Sequence, residues 1–199
     1  MTKLIWEERA RIALRAALHA LNRTLEADKA RDKTLTAVSA IETALWIRAL
    51  NDAYKKFAPV NDTRKSSVPL PPFLNGDPGQ TEYAMYQKAQ GLRLVTNKGI
   101  HEMIFPTSEN MRYDFFRTGI VSPNHTYRWS PLSHWQDAIR EPQPNEEKWR
   151  KHYDESVAGH NVVPTLAQAI SSFHDRALRM DLDLAEAFFE FEKQIRKYF

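Results

Sequence analysis

Apolar residues recur every three to four positions near the start of the chain, at Leu4, Ile5, Ile12, Leu14, Leu18, Leu21 and Leu25, with arginine and glutamate between them. A period near 3.6 gathers these side chains on one stripe, so the pattern predicts a long amphipathic helix from Leu4 to about Ala27. Leu35, Val38, Ile41, Leu45, Ile47, Leu50 and Tyr54 repeat it from about Asp32 to Phe57, where Pro59 ends it. The two helices are expected to pack as an antiparallel pair. Pro59, Pro69, Pro71, Pro72 and Pro78, with Asn61, Asn75, Gly76, Asp77 and Gly79, interrupt any period and predict a long exposed loop over 58–79. Thr81 and Glu82 open a third helix that stops at Pro106.

Beyond it the period shortens. Tyr113, Phe115, Phe116, Ile120 and Val121 lie on one side of a Ser122-Pro123-Asn124 turn signal, and Thr126, Tyr127 and Trp129 on the other. Aromatic and β-branched residues around a turn predict a β-hairpin insertion over 111–130. Pro131, Pro142 and Pro144 bracket a second irregular stretch, and Glu146–Val157 reads as a short helix. Pro164 suits the first turn of a last long helix that carries Leu166, Ile170, Phe173, Leu178, Phe188 and Ile195 and bends near Asp181. The expected fold is mainly α: a single domain over 1–199, a bundle of four to five helices with a small inserted β-hairpin.

Composition narrows the classes. A chain of 199 residues can bury a sufficient core without staples, and with no cysteine it has neither a disulfide nor a thiolate. The 28 basic residues are interleaved with 25 acidic ones, so the net charge of +3 favours polyanionic partners only mildly. No run reaches the length of a membrane span, and Glu7, Glu8, Arg9 and Arg11 stand where a signal peptide needs an apolar core. A cytoplasmic protein with no membrane association is expected. The histidines at 125, 134, 152, 160 and 174 lack the paired spacing of a zinc site, and no phosphate loop, nucleophile elbow or dinucleotide fingerprint occurs, so neither a metal nor a cofactor is expected.

The candidate chemistry lies in the third helix, within Gly91–Phe105, GLRLVTNKGIHEMIF. Arg93, Asn97 and His101 recur every four residues, each step advancing about 400°, so the three polar groups share a face about 80° wide. Gly91 and Gly99, eight apart, each cost a helix about 1 kcal/mol relative to alanine and suit the close approach of another helix, from this chain or from a second protomer. Arg48, Asn51 and Asp52 form a polar cluster on the second helix. It reads first as an i,i+4 ion-paired surface and second as a partner of the third helix. Tyr113, Phe115, Phe116, Tyr127, Arg128 and Trp129 read as packing for the hairpin ahead of a base-stacking platform.

The pattern GLR-x-V-x-N-K-G-I-H, preceded by ALWIRALND at 44–52 and followed by YRW at 127–129, resembles the HEPN superfamily of helical bundles. In that family a helix carries an Arg, usually a polar residue directly after it, and a His after four to six intervening residues, and paired protomers form a shared, metal-independent ribonuclease site. The resemblance implies that His101 and Asn97 are the matching site residues. Thr96 stands where the family has Arg, and Arg93, with seven residues intervening before His101, is the nearest guanidinium on that helix. Cleavage through the 2′-hydroxyl needs a proton-transfer group and a fixed positive charge on the phosphorane, and threonine carries none. The expectation is an RNA-cleaving or RNA-binding homodimer in a toxin or defence setting, with His101, Asn97 and Arg93 catalytic and Lys98 and Arg48 contacting RNA, and an antitoxin or other protein as a further partner. The alternative is a catalytically silent helical module for dimerisation or protein interaction.

Overall fold

The computed structural model describes residues 2–57, 82–101, 107–109, 127–134 and 146–173, together with positions 189 and 193. Two long helices, α1 (Thr2–Lys29) and α2 (Lys33–Phe57), pack antiparallel through a seam of small residues. Ala10, Ala13, Ala17 and Ala20 of α1 and Ala37, Ala40 and Ala44 of α2 are all buried, which lets the two backbones approach closely. Within that seam Thr24 and Thr43 are in hydroxyl contact at 3.3 Å.

The turn between the helices is closed from both sides. Asp32 N–H donates to Ala27 O and Arg31 N–H to Asp28 O, a Schellman ending in which Arg31 takes the left-handed position with φ 57°. Asp32 then caps α2, its Oδ1 accepting from Leu35 N–H at 2.8 Å.

The third helix, α3 (Glu82–His101), is the hub: it packs against α2 and against two later helices, α4 (Glu146–Ser156) and α5 (Val162–Ser171). Leu92, Leu94 and Val95 are fully buried in the common core with Leu14, Ile47, Leu166 and Phe173. At Gly91 the backbone of α4 crosses so closely that a Cβ would lie 2.9 Å from both Cα and N of Tyr153. The close approach expected at this glycine is therefore made by α4 of the same chain.

A short antiparallel ladder pairs β1 (Thr107–Glu109) with β2 (Tyr127–Trp129) in the register Thr107↔Trp129 and Glu109↔Tyr127. The expected hairpin differs in where it begins: β1 precedes position 111 and is the polar run Thr-Ser-Glu, without the alternation that marks a half-buried strand. Tyr127 and Trp129 are buried in the core, as the packing reading of the YRW segment anticipates. Two contacts clamp β2 to the α1–α2 turn: Asp28 Oδ1 accepts from Tyr127 N–H at 3.0 Å, and the Tyr127 hydroxyl donates to Arg31 O at 2.7 Å. On the other side the α4–α5 turn, with Gly159 at φ 75°, exchanges backbone bonds with Trp129.

Among the described residues the architecture is a mainly α bundle of five helices with that one small ladder. No described helix is long and apolar enough to cross a membrane. The 58–79 loop, the aromatic residues at 113–116 and the bend near Asp181 lie outside the described residues.

Replacing Gly91 by alanine improves helix propensity but drives a methyl into backbone that has no rotamer to move. The variant is expected to be destabilised by about 1–3 kcal/mol, lowering the melting temperature by several degrees in a thermal melt; a rise would mean that α4 is not locked against this position.

Candidate functional site

Arg93 and Asn97 of α3 face α2. Arg93 Nη2 donates to Asp52 Oδ1 at 3.2 Å, and the guanidinium carbon of Arg93 lies 5.4 Å from the centroid of the Trp149 ring on α4. From α2, Arg48 Nη1 donates to Asn97 Oδ1 at 2.7 Å and reaches Thr96 Oγ1 at 3.4 Å. Thr96 can accept there because its own hydroxyl donates to Arg93 O. Arg48 Nε also lies 3.9 Å from Asp52 Oδ2, so a single carboxylate sits between two guanidinium groups and leaves the trio with one net positive charge. Arg48 and Asp52 have side chains 36% and 49% exposed, whereas Arg93 is 12% exposed. The row is thus anchored deep at Arg93 and open to solvent at Arg48.

Several buried polar atoms of α2 and α3 have no hydrogen-bond partner. Asn51 has both side-chain polar atoms buried and unbonded, as are Gln90 Nε2 and Arg93 Nε. Buried polar atoms are nearly always hydrogen-bonded, so these atoms are a cost to the packing of α2 and α3, one that Trp129 Nε1 and His152 Nδ1 share away from the row.

Of the residues singled out from sequence, the structure brings Arg48, Arg93 and Asn97 together. Lys98 is directed elsewhere: its Nζ lies 3.3 Å from Glu146 Oε1 on α4, with both side chains at least nine-tenths buried. Arg150 donates to the same oxygen from Nη2 at 3.0 Å. His101 is the last residue of α3, about 6 Å beyond Asn97 along the axis; its side chain lies outside the described residues. Asp52 and Trp149 complete the site. Asp52 was visible in sequence only as the i,i+4 partner of Arg48, and Trp149 carries no local signal because it meets Arg93 across the fold.

The chain matches no protein-family model, no curated protein and no solved structure.

The chemistry open to the row is oxyanion recognition. Two guanidiniums present fixed donors suited to phosphate oxygens. With Asn97 Oδ1 occupied by Arg48, its Nδ2 is the donor half of the same amide. Among the described residues, no three acidic or histidine side chains gather as a metal site.

Two measurements follow from the flanking helix α4. Glu146 is buried against two cations, and its removal takes the facing carboxylate from the buried Lys98, so Glu146→Ala is expected to cost about 3 kcal/mol in chemical denaturation. His152 has a buried Nδ1 without a partner, and burial, reinforced by Lys148 and Lys151 against Glu155, holds its pKa below the ordinary 6.5. The unfolded chain therefore takes up this proton first, and stability falls as pH drops below 6.5 towards the folded-state value. His152→Gln should flatten the decline in melting temperature over that window; an unchanged slope would assign it to other groups.

Proposed function

We propose that this chain is an RNA-directed, HEPN-like protein in which Arg48, reaching over from α2, supplies the guanidinium that Thr96 leaves missing from α3. The observation that carries the reading is the position of that guanidinium, bonded to Asn97 and in contact with Thr96. A charge delivered across the helix pair serves the same electrostatic purpose as one carried on α3, because what stabilises a developing phosphorane is the location of the donor and not the helix it comes from.

In this reading His101 accepts the proton of the RNA 2′-hydroxyl. The freed oxygen attacks the adjacent phosphorus, the bond to the 5′-oxygen breaks, and that oxygen leaves with a proton returned by the protein. The products are a 2′,3′-cyclic phosphate and a 5′-hydroxyl. Arg48 and the Asn97 amide hold the phosphoryl oxygens, and Arg93, fixed by Asp52 and Trp149, adds a second positive charge behind them. The homodimer, the toxin or defence setting, an antitoxin partner and a cytoplasmic location belong to this reading as the family resemblance implies them. A second reading, a catalytically silent interaction module, is favoured by the same ion pairs, since Asp52 already pairs with both arginines within the chain.

Labelled single-stranded RNA incubated in EDTA separates the two. Wild-type protein is expected to cleave, and His101→Ala and Arg48→Ala each to lose about 100-fold or more in rate, with Arg48→Lys recovering part of it. Cleavage unchanged in His101→Ala would remove the proposed site, and wild-type protein that neither cleaves nor binds RNA would leave the silent module.

A further inference from the structure

Between α1 and α2, next to the arginine row, lies a groove of about 370 Å³. Ile12 and Ala13 of α1 form one wall, and Trp46, Ala49 and Ala53 of α2 the other. Ala13 and Ala53 are buried and lie deep, whereas Ile12, 53% exposed, stands at the lip. The alanines leave room, and Trp46, only partly buried against the core, adds an aromatic side chain to the wall. Ale-sized side chains are not required by the packing at every position: Ala49 is exposed, and a longer aliphatic residue there would close the groove without entering the core.

One end of the groove belongs to the arginine row. Asp52 lines it, and the same carboxylate lies 3.2 Å from Arg93 and 3.9 Å from Arg48. Both guanidiniums therefore stand one side chain away from an apolar slot. Its volume falls in the lower part of the range that holds small organic groups.

We infer that the groove is a nucleobase subsite of that row: the base of the nucleotide whose phosphate lies on Arg48 enters between α1 and α2 and stacks on Trp46. The inference rests on the RNA-directed reading and adds what is recognised beside the phosphate. Continuity selects the occupant. One molecule must offer an anion to a guanidinium and, one side chain further on, a flat apolar ring to an aromatic-walled slot. A single-stranded nucleotide has that build, because its base can splay away from the chain and every base has a π-face. A paired duplex keeps its bases stacked on one another and offers none to the slot. Asp52 marks where the two parts meet and takes no part in binding the base, since its charge is already balanced by the two arginines. Recognition by stacking alone tolerates all four bases, so the site takes single strands with weak sequence preference.

The test compares two ligands by fluorescence anisotropy: an oligoadenylate and an abasic ribose-phosphate oligomer of the same length, both 2′-O-methylated so that neither can be cleaved. The abasic oligomer reads the phosphate contacts, and the difference between the two reads the groove. Wild-type protein is expected to bind the oligoadenylate about 10-fold more tightly. Trp46→Ala and Ala49→Leu, both outside the arginine row, should each erase that difference and leave affinity for the abasic oligomer unchanged, with a helical circular dichroism spectrum. Trp46→Phe should retain most of it. Equal affinity of wild-type protein for the two oligomers overturns the inference while the phosphate contacts stand, and so does a preference that survives both Trp46→Ala and Ala49→Leu. Binding of neither oligomer removes the RNA-directed reading and the subsite with it.

Discussion

The distance between α3 and α4 is set by the contact of Gly91 with the backbone of Tyr153, and much of the molecule is arranged around it. With no side chain in the way, α4 lies flat enough on α3 for Trp149 to cover Arg93, one turn before the crossing, and for Glu146, a further turn back, to reach Lys98. The Tyr153 hydroxyl donates to Ser130 O at 2.7 Å, which carries the same constraint into the strand that precedes it. Burial holds the pKa of that phenol well above its ordinary value, so it remains a donor throughout the physiological range. One missing methyl thereby positions a cation, a buried ion pair and a strand.

Two carboxylates, each between two cations, flank α3, and their surroundings give them different roles. Glu146, with Lys98 and Arg150, is sealed in the α3–α4 interface, where weak screening makes the three charges depend on each other. Asp52, with Arg48 and Arg93, sits at a half-exposed edge, where an ion pair contributes little and can be exchanged at small cost. An incoming phosphate can compete with Asp52 for Arg48, which is open to solvent, and not with Glu146 for its two cations. This difference in burial, and not the number of charges, distinguishes a fold-holding cluster from one available to a ligand.

Much of the helical layout is legible in the sequence because it is a matter of local periodicity. The stripes of α1 and α2, the proline limits and the acidic start of α4 all lie within single windows of chain. β1 is not legible, since Thr107, Ser108 and Glu109 carry no alternation and owe their conformation to Tyr127–Trp129 across the ladder. The site divides in the same way. Arg93 and Asn97 share a face by spacing alone, but nothing local says that Arg48 ends on Asn97, forty-nine residues away, or that Lys98, adjacent in sequence, turns to α4. Gly91 signals a close approach without saying to what. In each case sequence supplies the hydrogen-bonding capacity, and the fold chooses the partner.

The ladder between β1 and β2 has a consequence for how this protein can vary. Pairing Thr107 with Trp129 and Glu109 with Tyr127 holds both ends of the intervening segment at fixed points, and Asp28 and Arg31 pin the second end to the α1–α2 turn. Loop-closure entropy grows only logarithmically, so doubling the length of such a closed segment costs about 0.6 kcal/mol. As closure entropy, the length of chain between the paired strands therefore matters little so long as the ladder and its anchor on the α1–α2 turn are kept. Thermodynamically, a dozen new residues there weigh less than one carbon atom added at Gly91.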